Sequence, residues 1–353
     1  MKTIKIAFIG SAGVPNKYGG FESFLEHCGP ILAKKVSKVI VTCDKRLYSD
    51  FAIDFNGVTR ILIDLPANGC WSILHDLLAF FSVYARSTHI VVLGVSGAPW
   101  FPLFRLMCAL SGKKLLVNID GVEWRRGKFG YCKRLLLRIF DAIAQRFANV
   151  IVYDNPGLKS YILKSCTKKS ICIGYSGDQV LRIPQYQIKP FTALTICRIE
   201  VENNLEMLIE GFLLSTFKSY TIVGNWLQSE YGRNLKLRYS NEPRLCLLDS
   251  IYDLRRLAEL RESCAVYLHG HSVGGTNPSL VEMLFYDCHI ACLDVVFNRE
   301  TAGGCAHYFS NHEDLSFLFG HLTMRPINND RGNKRTLFTR SNIANQYFLA
   351  MDH

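Results

Sequence analysis

Residues 268–282 read Leu-His-Gly-His-Ser-Val-Gly-Gly-Thr-Asn-Pro-Ser-Leu-Val-Glu, and this stretch decides the fold class. An apolar run ends here, a glycine-rich turn follows, and an amphipathic segment begins. Pro278 suits the first position of a helix, and Asn277 before it suits the cap. Backbone N–H groups at such a turn can bind a phosphate, although a well-capped core helix explains the stretch without a ligand. A strand, a turn and a helix in this order form the unit of parallel α/β sheets.

The same alternation of strands and helices runs through the whole chain. Predicted strands occupy residues 4–9, 36–42, 90–93, 114–118, 150–153, 193–197, 220–223, 244–247, 265–268 and 290–293. Predicted helices occupy residues 22–35, 101–111, 132–147, 156–165, 203–212, 229–239, 252–262, 278–285 and 342–351. Two such series predict an α/β protein with two doubly wound, Rossmann-like domains and a ligand cleft between them.

The predicted domains have the following boundaries. Residues 1–175 form the first domain and residues 176–335 the second, joined near the glycine- and proline-containing residues 174–190. Residues 336–353 contain a last helix that we expect to pack back on the first domain.

Composition excludes several classes of protein. Of the 353 residues, 49% are hydrophobic and 20% are charged, which excludes a disordered chain or a coiled coil. The 13 cysteines are odd in number and include no CxxC pair, so we expect reduced thiols in a cytoplasm rather than disulfides or a zinc site. Residues 87–104 carry no charge, but their glycines and prolines predict a strand and a loop rather than a membrane span.

The positive charge lies in one half of the chain. Residues 1–180 hold 24 of the 41 Lys and Arg and 12 of the 30 Asp and Glu, a net charge of +12, against −1 for residues 181–353. A one-sided basic half predicts an anionic partner. The sequence has no helix-turn-helix, zinc-finger or RNP pattern, so an anionic membrane surface is favoured over nucleic acid.

Three further segments that follow predicted strands contain candidate functional residues. Gly19 and Gly20 begin a helix after a long loop, where backbone N–H groups can approach an anion, although an ordinary turn explains the loop equally well. Asp120 lies at a sheet edge where a carboxylate can orient or deprotonate a hydroxyl; the alternative is a cap or an ion pair with Arg125. Arg198 can bind a diphosphate bidentately, unless it pairs with a nearby glutamate, Glu200 or Glu202.

At these residues the chain resembles family 4 glycosyltransferases of the GT-B fold. More narrowly it resembles a bacterial polysaccharide rhamnosyltransferase group, whose first domain begins with a GVPxKYGGFE-type motif. The matching stretches are residues 13–22, 120–128, 198–204, 223–226, 230–232 and 269–282, and the resemblance spans roughly residues 4–310.

The resemblance implies retaining transfer of a sugar from a nucleotide diphosphate donor, dTDP-rhamnose or another nucleotide sugar. The implied acceptor is a polyprenyl-diphosphate-linked saccharide of capsule, O-antigen or other cell-surface polysaccharide synthesis. The enzyme would lie in the bacterial cytoplasm, peripheral at the inner face of the cytoplasmic membrane, and use no metal or other cofactor. It implies donor binding by the second domain and acceptor binding by the first.

The resemblance also assigns residues to roles. The catalytic candidates are Asp120, Arg198 and Glu282. The donor-binding candidates are Gly19, Gly20, Arg198, Gly224, Asn225, Tyr252, His271, Gly274, Gly275, Thr276, Asn277, Ser279 and Glu282. The acceptor-side candidates are Lys17, Tyr18, Glu22, Asp120, Glu123, Trp124, Arg125 and Arg126.

Two positions depart from the broad family 4 pattern, because Gly274 stands where a first glutamate is usual and Asn203 where a lysine is usual. They leave open a second interpretation, a non-catalytic nucleotide-sugar-binding scaffold of a polysaccharide assembly complex. A GT-B epimerase or phosphorylase shares the architecture, but the cofactor lysine motif of a phosphorylase is absent from the sequence. A dinucleotide oxidoreductase is disfavoured by the glycine spacing of residues 10–20.

Overall fold

The computed structural model describes residues 3–17, 19–125, 129–322 and 331–352. It divides into two compact units. Unit 1 comprises residues 1–175 together with residues 339–353, and unit 2 comprises residues 176–338. The first boundary therefore falls where the sequence placed it, and the second falls three residues after the expected one.

Unit 1 is built on a sheet that is parallel except for one short edge strand. Its strands are β1 (Lys5–Ile9), β2 (Lys38–Asp44), β3 (Asp54–Phe55), β4 (Val58–Ile63), β5 (His89–Leu93), β6 (Lys114–Asn118), β7 (Val150–Tyr153) and β8 (Ser170–Cys172), in the order β3-β4-β2-β1-β5-β6-β7-β8. Its α-helices are α1 (Gly20–Ala33), α2 (Ser72–Tyr84), α3 (Phe101–Leu110) and α4 (Tyr131–Phe147).

The connections place the helices of unit 1 on opposite faces of its sheet. The crossovers through α2, α3 and α4 advance towards β7, whereas the crossover through α1 runs the other way. Because parallel crossovers are right-handed, α1 covers one face and the other three helices cover the opposite face. Stacked rings of Phe80 and Phe104, 3.9 Å between centroids, join α2 to α3.

Unit 2 contains a second parallel sheet. Its strands are β9 (Lys189–Ile196), β10 (Ser219–Val223), β11 (Leu245–Leu248), β12 (Cys264–His269), β13 (His289–Leu293) and β14 (His307–Phe309), in the order β11-β10-β9-β12-β13-β14. Its helices are α5 (Leu205–Leu213), α6 (Glu230–Tyr239), α7 (Leu254–Ser263), α8 (Pro278–Met283), α9 (Val296–Ala302), α10 (His312–Leu322) and α11 (Gly332–Leu337).

The last helix, α12 (Arg340–Ala350), returns to unit 1 and packs against α1. The buried ring of Tyr347 lies 4.5 Å from that of Phe24 between centroids. Its hydroxyl and the Asn118 amide, at the end of β6, form a 2.8 Å hydrogen bond. The end of the chain thereby closes the core of the first unit.

The prediction of an α-helix over residues 156–165 is wrong. The structure has two short 3-10 helices there, Pro156–Tyr161 and Lys164–Lys169. The buried Gln145 side chain of α4 accepts the Leu163 N–H at 2.8 Å and donates to the Tyr161 carbonyl at 3.3 Å. These bonds replace those of a continuous helix, so the chain is extended between the two pieces.

Within the described residues, no helix combines the length and the apolar character needed to cross a membrane.

Candidate functional site

The loops that follow β9 and β12 are bonded to each other at the carboxyl edge of the unit 2 sheet. These strands are neighbours, so their loops emerge side by side. The Ser272 backbone N–H and hydroxyl both donate to the Glu202 carbonyl, at 2.9 and 3.0 Å. Asn204 donates its amide to the Gly270 carbonyl at 2.8 Å. The two loops therefore form one surface, and these hydrogen bonds make the conformation of each loop depend on the other.

Asn203 joins two candidate residues across this surface. Its side-chain amide donates to the Arg198 carbonyl at 2.7 Å, and its side-chain oxygen lies 2.9 Å from His271 Nδ1. Since the amide nitrogen is used on Arg198, the oxygen faces the imidazole, and Nδ1 is the protonated nitrogen of His271. The residue that stands in place of the usual lysine thus fixes the orientation and tautomer of a histidine.

Arg198 projects its side chain into solvent from this edge. The alternative of an ion pair with Glu200 or Glu202 is not seen, because no salt bridge of the described residues includes Arg198. The adjacent backbone is held by Asn225, whose side-chain oxygen accepts the Ile199 N–H at 2.8 Å. Gly224 lies so close to the Cys197 carbonyl that a Cβ would collide with it. An exposed guanidinium on a rigid loop is suited to bind an anion.

The loop after β12 has the capping predicted from the sequence. The Asn277 side chain accepts the Ser279 N–H at 3.0 Å, and Pro278 begins α8. Gly274 has φ +116°, a conformation that favours glycine. Gly275 is half-buried and the Thr276 side chain is buried. Helix α8 ends at Met283 rather than at the predicted residue 285, and it has only six residues. The loop therefore contributes more to any anion site than the dipole of this short helix does.

Glu282 is already paired in this structure. Its carboxylate forms a salt bridge with Arg261 of α7 and accepts a 3.3 Å hydrogen bond from the Gln179 amide. Arg261 is buried, so the pair is shielded from solvent on the arginine side. The predicted ribose contact would have to use the remaining acceptor capacity of this carboxylate.

The other unit 2 candidate, Tyr252, is not hydrogen-bonded to these loops within the described residues. Its side chain is 87% exposed in the segment between β11 and α7. The donor-binding candidates that the structure brings together are therefore those of the loops after β9, β10 and β12.

In unit 1, Glu22 holds the long loop that precedes α1. Its buried carboxylate accepts the Ala12 N–H at 2.7 Å, and burial raises the pKa of Glu22 above its ordinary value. Gly19 is the extended residue before α1 and Gly20 is its first residue, as the sequence predicted. Lys17 is exposed, and Tyr18 lies outside the described residues.

Asp120 lies at the carboxyl edge of the unit 1 sheet, directly after β6. Its backbone has φ +56°, and its N–H donates to the Asn118 side chain at 3.0 Å. The buried Tyr175 donates its hydroxyl to the Asp120 carboxylate at 3.3 Å. Burial and the negative charge of Asp120 raise the pKa of Tyr175 well above its ordinary value, so the tyrosine remains a donor. The carboxylate is positioned to accept a proton or a hydroxyl hydrogen bond.

Three of the remaining acceptor-side candidates form a short 3-10 helix, Glu123–Arg125. The Trp124 indole donates to the Asp141 carboxylate at 3.3 Å, and Arg125 contacts the Tyr161 hydroxyl rather than Asp120. Burial raises the pKa of Asp141. Arg126 lies outside the described residues.

The first half of the chain matches a known protein family. Residues 1–178 match a family described as a domain of unknown function, DUF1972. The chain belongs to the DUF1972 family. The DUF1972 region includes the loop held by Glu22 and the Asp120 edge. No curated protein matches the sequence.

Solved structures resemble the DUF1972 protein along its whole length. Sucrose-phosphate synthase from Thermosynechococcus elongatus aligns over 98% of this chain and 98% of its own, with a TM-score of 0.78 and 12% identity. Anabaena HepE in complex with UDP aligns over 99% of this chain and 100% of its own, with a TM-score of 0.71 and 13% identity. The catalytic domain of starch synthase IV from Arabidopsis thaliana, bound to ADP and acarbose, aligns over 99% of both chains, with a TM-score of 0.69 and 11% identity. The fold of the DUF1972 protein is GT-B.

One polar cluster of the DUF1972 region was not predicted. His75 and Asp76 are fully buried in the first turn of α2, 3.3 Å apart, and Ser96 donates to Asp76 at 2.9 Å. Burial raises the pKa of Asp76. Because Ser96 bonds to the aspartate rather than to the histidine, the cluster is not a nucleophilic triad. Adjacent His-Asp in an otherwise apolar segment is a sequence signal that could have identified it.

Among the residues that the structure describes, no group of three or more His, Cys, Asp or Glu side chains is arranged to hold a metal ion.

Proposed function

We propose that this protein is a glycosyltransferase that moves a sugar from a nucleotide diphosphate donor to an acceptor. The observation that carries the proposal is the bonded surface at the carboxyl edge of the unit 2 sheet, where Arg198 is exposed beside the glycine loop of residues 270–277. Open α/β sheets bind ligands at this edge. The GT-B fold of sucrose-phosphate synthase and of HepE bound to UDP supports the same assignment.

Transfer needs stabilisation of the leaving diphosphate, whose negative charge develops in the transition state. Arg198 supplies a guanidinium to that charge, and the backbone N–H groups of Gly274, Gly275 and Thr276 supply neutral donors. His271 is held on the same surface by the Asn203 side chain, with its proton on Nδ1. Glu282 holds the donor ribose through acceptor capacity that Arg261 and Gln179 leave unused.

Unit 1 supplies the acceptor side of the proposed reaction. Asp120 accepts a hydrogen bond from the attacking hydroxyl or stabilises the positive character of the sugar. Gly19 and Gly20, at the start of α1, offer backbone N–H donors to an anionic ligand. Lys17 and Arg125 add positive charge that suits a phosphorylated acceptor.

The finer assignment follows from the sequence motifs. We propose dTDP-rhamnose as donor, retention of configuration, no metal requirement, and a polyprenyl-diphosphate-linked saccharide as acceptor. The reaction would belong to bacterial surface-polysaccharide synthesis at the inner face of the cytoplasmic membrane, with the enzyme bound peripherally. The motif of residues 13–22 and the basic first half support this assignment.

A thermal-shift panel with dTDP-rhamnose, dTDP-glucose, UDP-glucose and GDP-mannose tests donor binding, since a bound donor raises the melting temperature. We expect Arg198→Ala to weaken binding at least tenfold, because a hydrogen bond to a charged group contributes about 1.5–3 kcal/mol. Lys218→Ala, which removes a positive charge just before β10, is the matched control.

A preference for a UDP or GDP sugar would refute the rhamnose assignment and keep the reaction class. Unchanged affinity in Arg198→Ala would refute the role of that arginine. Donor binding without turnover on any lipid-linked acceptor would favour the scaffold interpretation.

A further inference from the structure

Helices α2, α3 and α4, together with Trp71 just before α2, expose an unusual set of large apolar side chains on one side of unit 1. Their exposed fractions range from 39% to 80%. We call this set the helical apolar face; it consists of Trp71, Leu74, Leu78, Phe81, Leu103, Leu106, Leu110, Tyr131, Leu135, Leu136 and Ile139. Apolar surface of this extent marks a contact with a partner or a membrane.

The spacing of these residues makes the face continuous. Leu74, Leu78 and Phe81 lie on one side of α2, and their buried neighbours Phe80 and Val83 lie on the other. The same division holds in α3, where Leu103, Leu106 and Leu110 are exposed. Because the three helices cover one face of the sheet, their outward stripes lie side by side.

Helix α4 carries the most distinctive part of this face. Its first half, from Tyr131 to Arg138, is exposed or half-exposed on every side. Leu135, Leu136 and Ile139 point away from the buried Ala144 and Gln145, and Lys133 and Arg138 flank them. An apolar stripe bordered by basic residues is the pattern of a helix that lies in a membrane surface.

The exposed charges beside the face are positive and lie mainly on α4. Within α2, α3 and α4, all of whose residues the structure describes, the acidic side chains are Asp76 and Asp141, and both are buried. Lys133, Arg134 and Arg138 remain exposed beside the leucines, although each also makes a local contact. Arg134 donates to the Trp124 carbonyl at 2.9 Å, Arg138 lies over the Trp124 ring, and Lys133 lies over the Phe129 ring. Each basic residue near an anionic bilayer contributes about 1 kcal/mol of attraction.

We infer that the helical apolar face binds an anionic lipid bilayer, with α4 lying in the headgroup region. Pairing of this face with that of a second copy of the chain is disfavoured. It would bring the positive charges of Lys133, Arg134 and Arg138 of the two copies close together, where they repel. Nucleic acid does not account for the exposed leucines and isoleucine. The inference rests on the proposed function in one respect: the lipid contact would bring unit 1 to a lipid-linked acceptor.

Flotation with vesicles tests the inference on the full chain. We expect binding to phosphatidylcholine vesicles containing phosphatidylglycerol, and at least tenfold weaker binding to phosphatidylcholine alone. The double variant Leu135→Gln/Ile139→Gln should lower binding about tenfold or more, because it removes apolar area from the lipid contact. The matched control is Leu237→Gln/Leu254→Gln, two exposed leucines of unit 2 helices.

A second variant tests the charge. Lys133→Gln/Arg138→Gln should reduce binding to anionic vesicles and flatten its dependence on salt. Each variant is checked for an unchanged melting temperature, so that a folding defect is not mistaken for lost binding.

Four results would overturn the inference. They are no binding of the wild-type chain to anionic vesicles, equal binding to neutral vesicles, undiminished binding of Leu135→Gln/Ile139→Gln, or a dimer that Leu135→Gln/Ile139→Gln dissociates. The donor panel is independent. Vesicle binding without a donor shift would refute the proposed transferase and leave this surface intact. A donor shift without vesicle binding would refute this surface and the peripheral membrane location, and leave the transferase intact.

Discussion

His269 ends β12 with its ring buried and with Nε2 lacking a hydrogen-bond partner among the described residues. Burial, with a smaller contribution from His271, lowers the pKa of His269 to about 3 from an ordinary value of 6.5. The unfolded chain therefore binds more protons than the folded chain between these pH values. Stability must rise with pH over this range and fall on acidification.

Replacing His269 tests this sign. Between pH 7.5 and pH 5, the histidine should cost the wild type about 2 kcal/mol of unfolding free energy. His269→Leu lacks this contribution. Lowering the pH from 7.5 to 5 should therefore change the difference in unfolding free energy between the two proteins by about 2 kcal/mol in favour of the variant. Urea unfolding at the two pH values measures it, and parallel pH dependences would contradict the buried neutral ring.

Individual residues differ in how far their roles were predictable. The Asn277 cap and the Pro278 helix start are confirmed, because capping depends on neighbours within three residues. The salt bridge of Glu282 with Arg261 was not predicted. These residues lie on different helices, and only the packing of α7 beside α8 brings their side chains together.

At the scale of elements, the candidate donor surface depends on bonds between two loops rather than on either loop alone. Asn203 supplies a bond to the Arg198 loop and another to His271. Asn203, which stands where a lysine is usual, therefore connects the two loops. A lysine could not make both bonds, because its ammonium group donates hydrogen bonds and accepts none.

Asn203→Asp separates these two bonds. The carboxylate can still accept the His271 proton, but it cannot donate to the Arg198 carbonyl. A negative charge beside the imidazole should raise the His271 pKa by about 1–3 units relative to the wild type. An NMR titration of the histidine rings measures the shift.

Asn241→Asp, at an exposed position between α6 and β11, introduces the same charge as a control. If His271 titrates identically in both variants and the wild type, the assigned hydrogen bond is wrong.

Helix α2 shows why some elements escaped prediction. Its outward stripe is as apolar as its inward stripe, so the alternation of polar and apolar residues that identifies an amphipathic helix is missing. The same property makes α2 part of the helical apolar face. The α-helix predicted over residues 156–165 is absent for another reason. The Gln145 side chain of the preceding helix, α4, bonds to the backbone groups of Tyr161 and Leu163 that a continuous helix would need.

At the scale of the molecule, the end of the chain belongs to the first unit. Tyr347→Ala should destabilise the protein by about 3–5 kcal/mol, because it removes a buried aromatic ring from Phe8 and Phe24 and leaves Asn118 without its partner. Leu349→Ala on the same helix should change stability by about 0.5 kcal/mol or less, since Leu349 is half exposed. Urea unfolding compares the two, and equal effects would contradict the docking of α12.

The sequence by itself determined the two strand–helix series, the parallel sheets and the positions of most strands, because these depend on the periodicity and turn residues of short segments. It also placed Arg198, Asp120 and the glycine loop at strand ends, although their proposed roles await the tests above. Only the tertiary structure decided which side chains meet and which stay exposed. Asn118 and Tyr347 lie 229 residues apart in the chain, and no local pattern records such a contact or the exposure of the leucines on α2, α3 and α4.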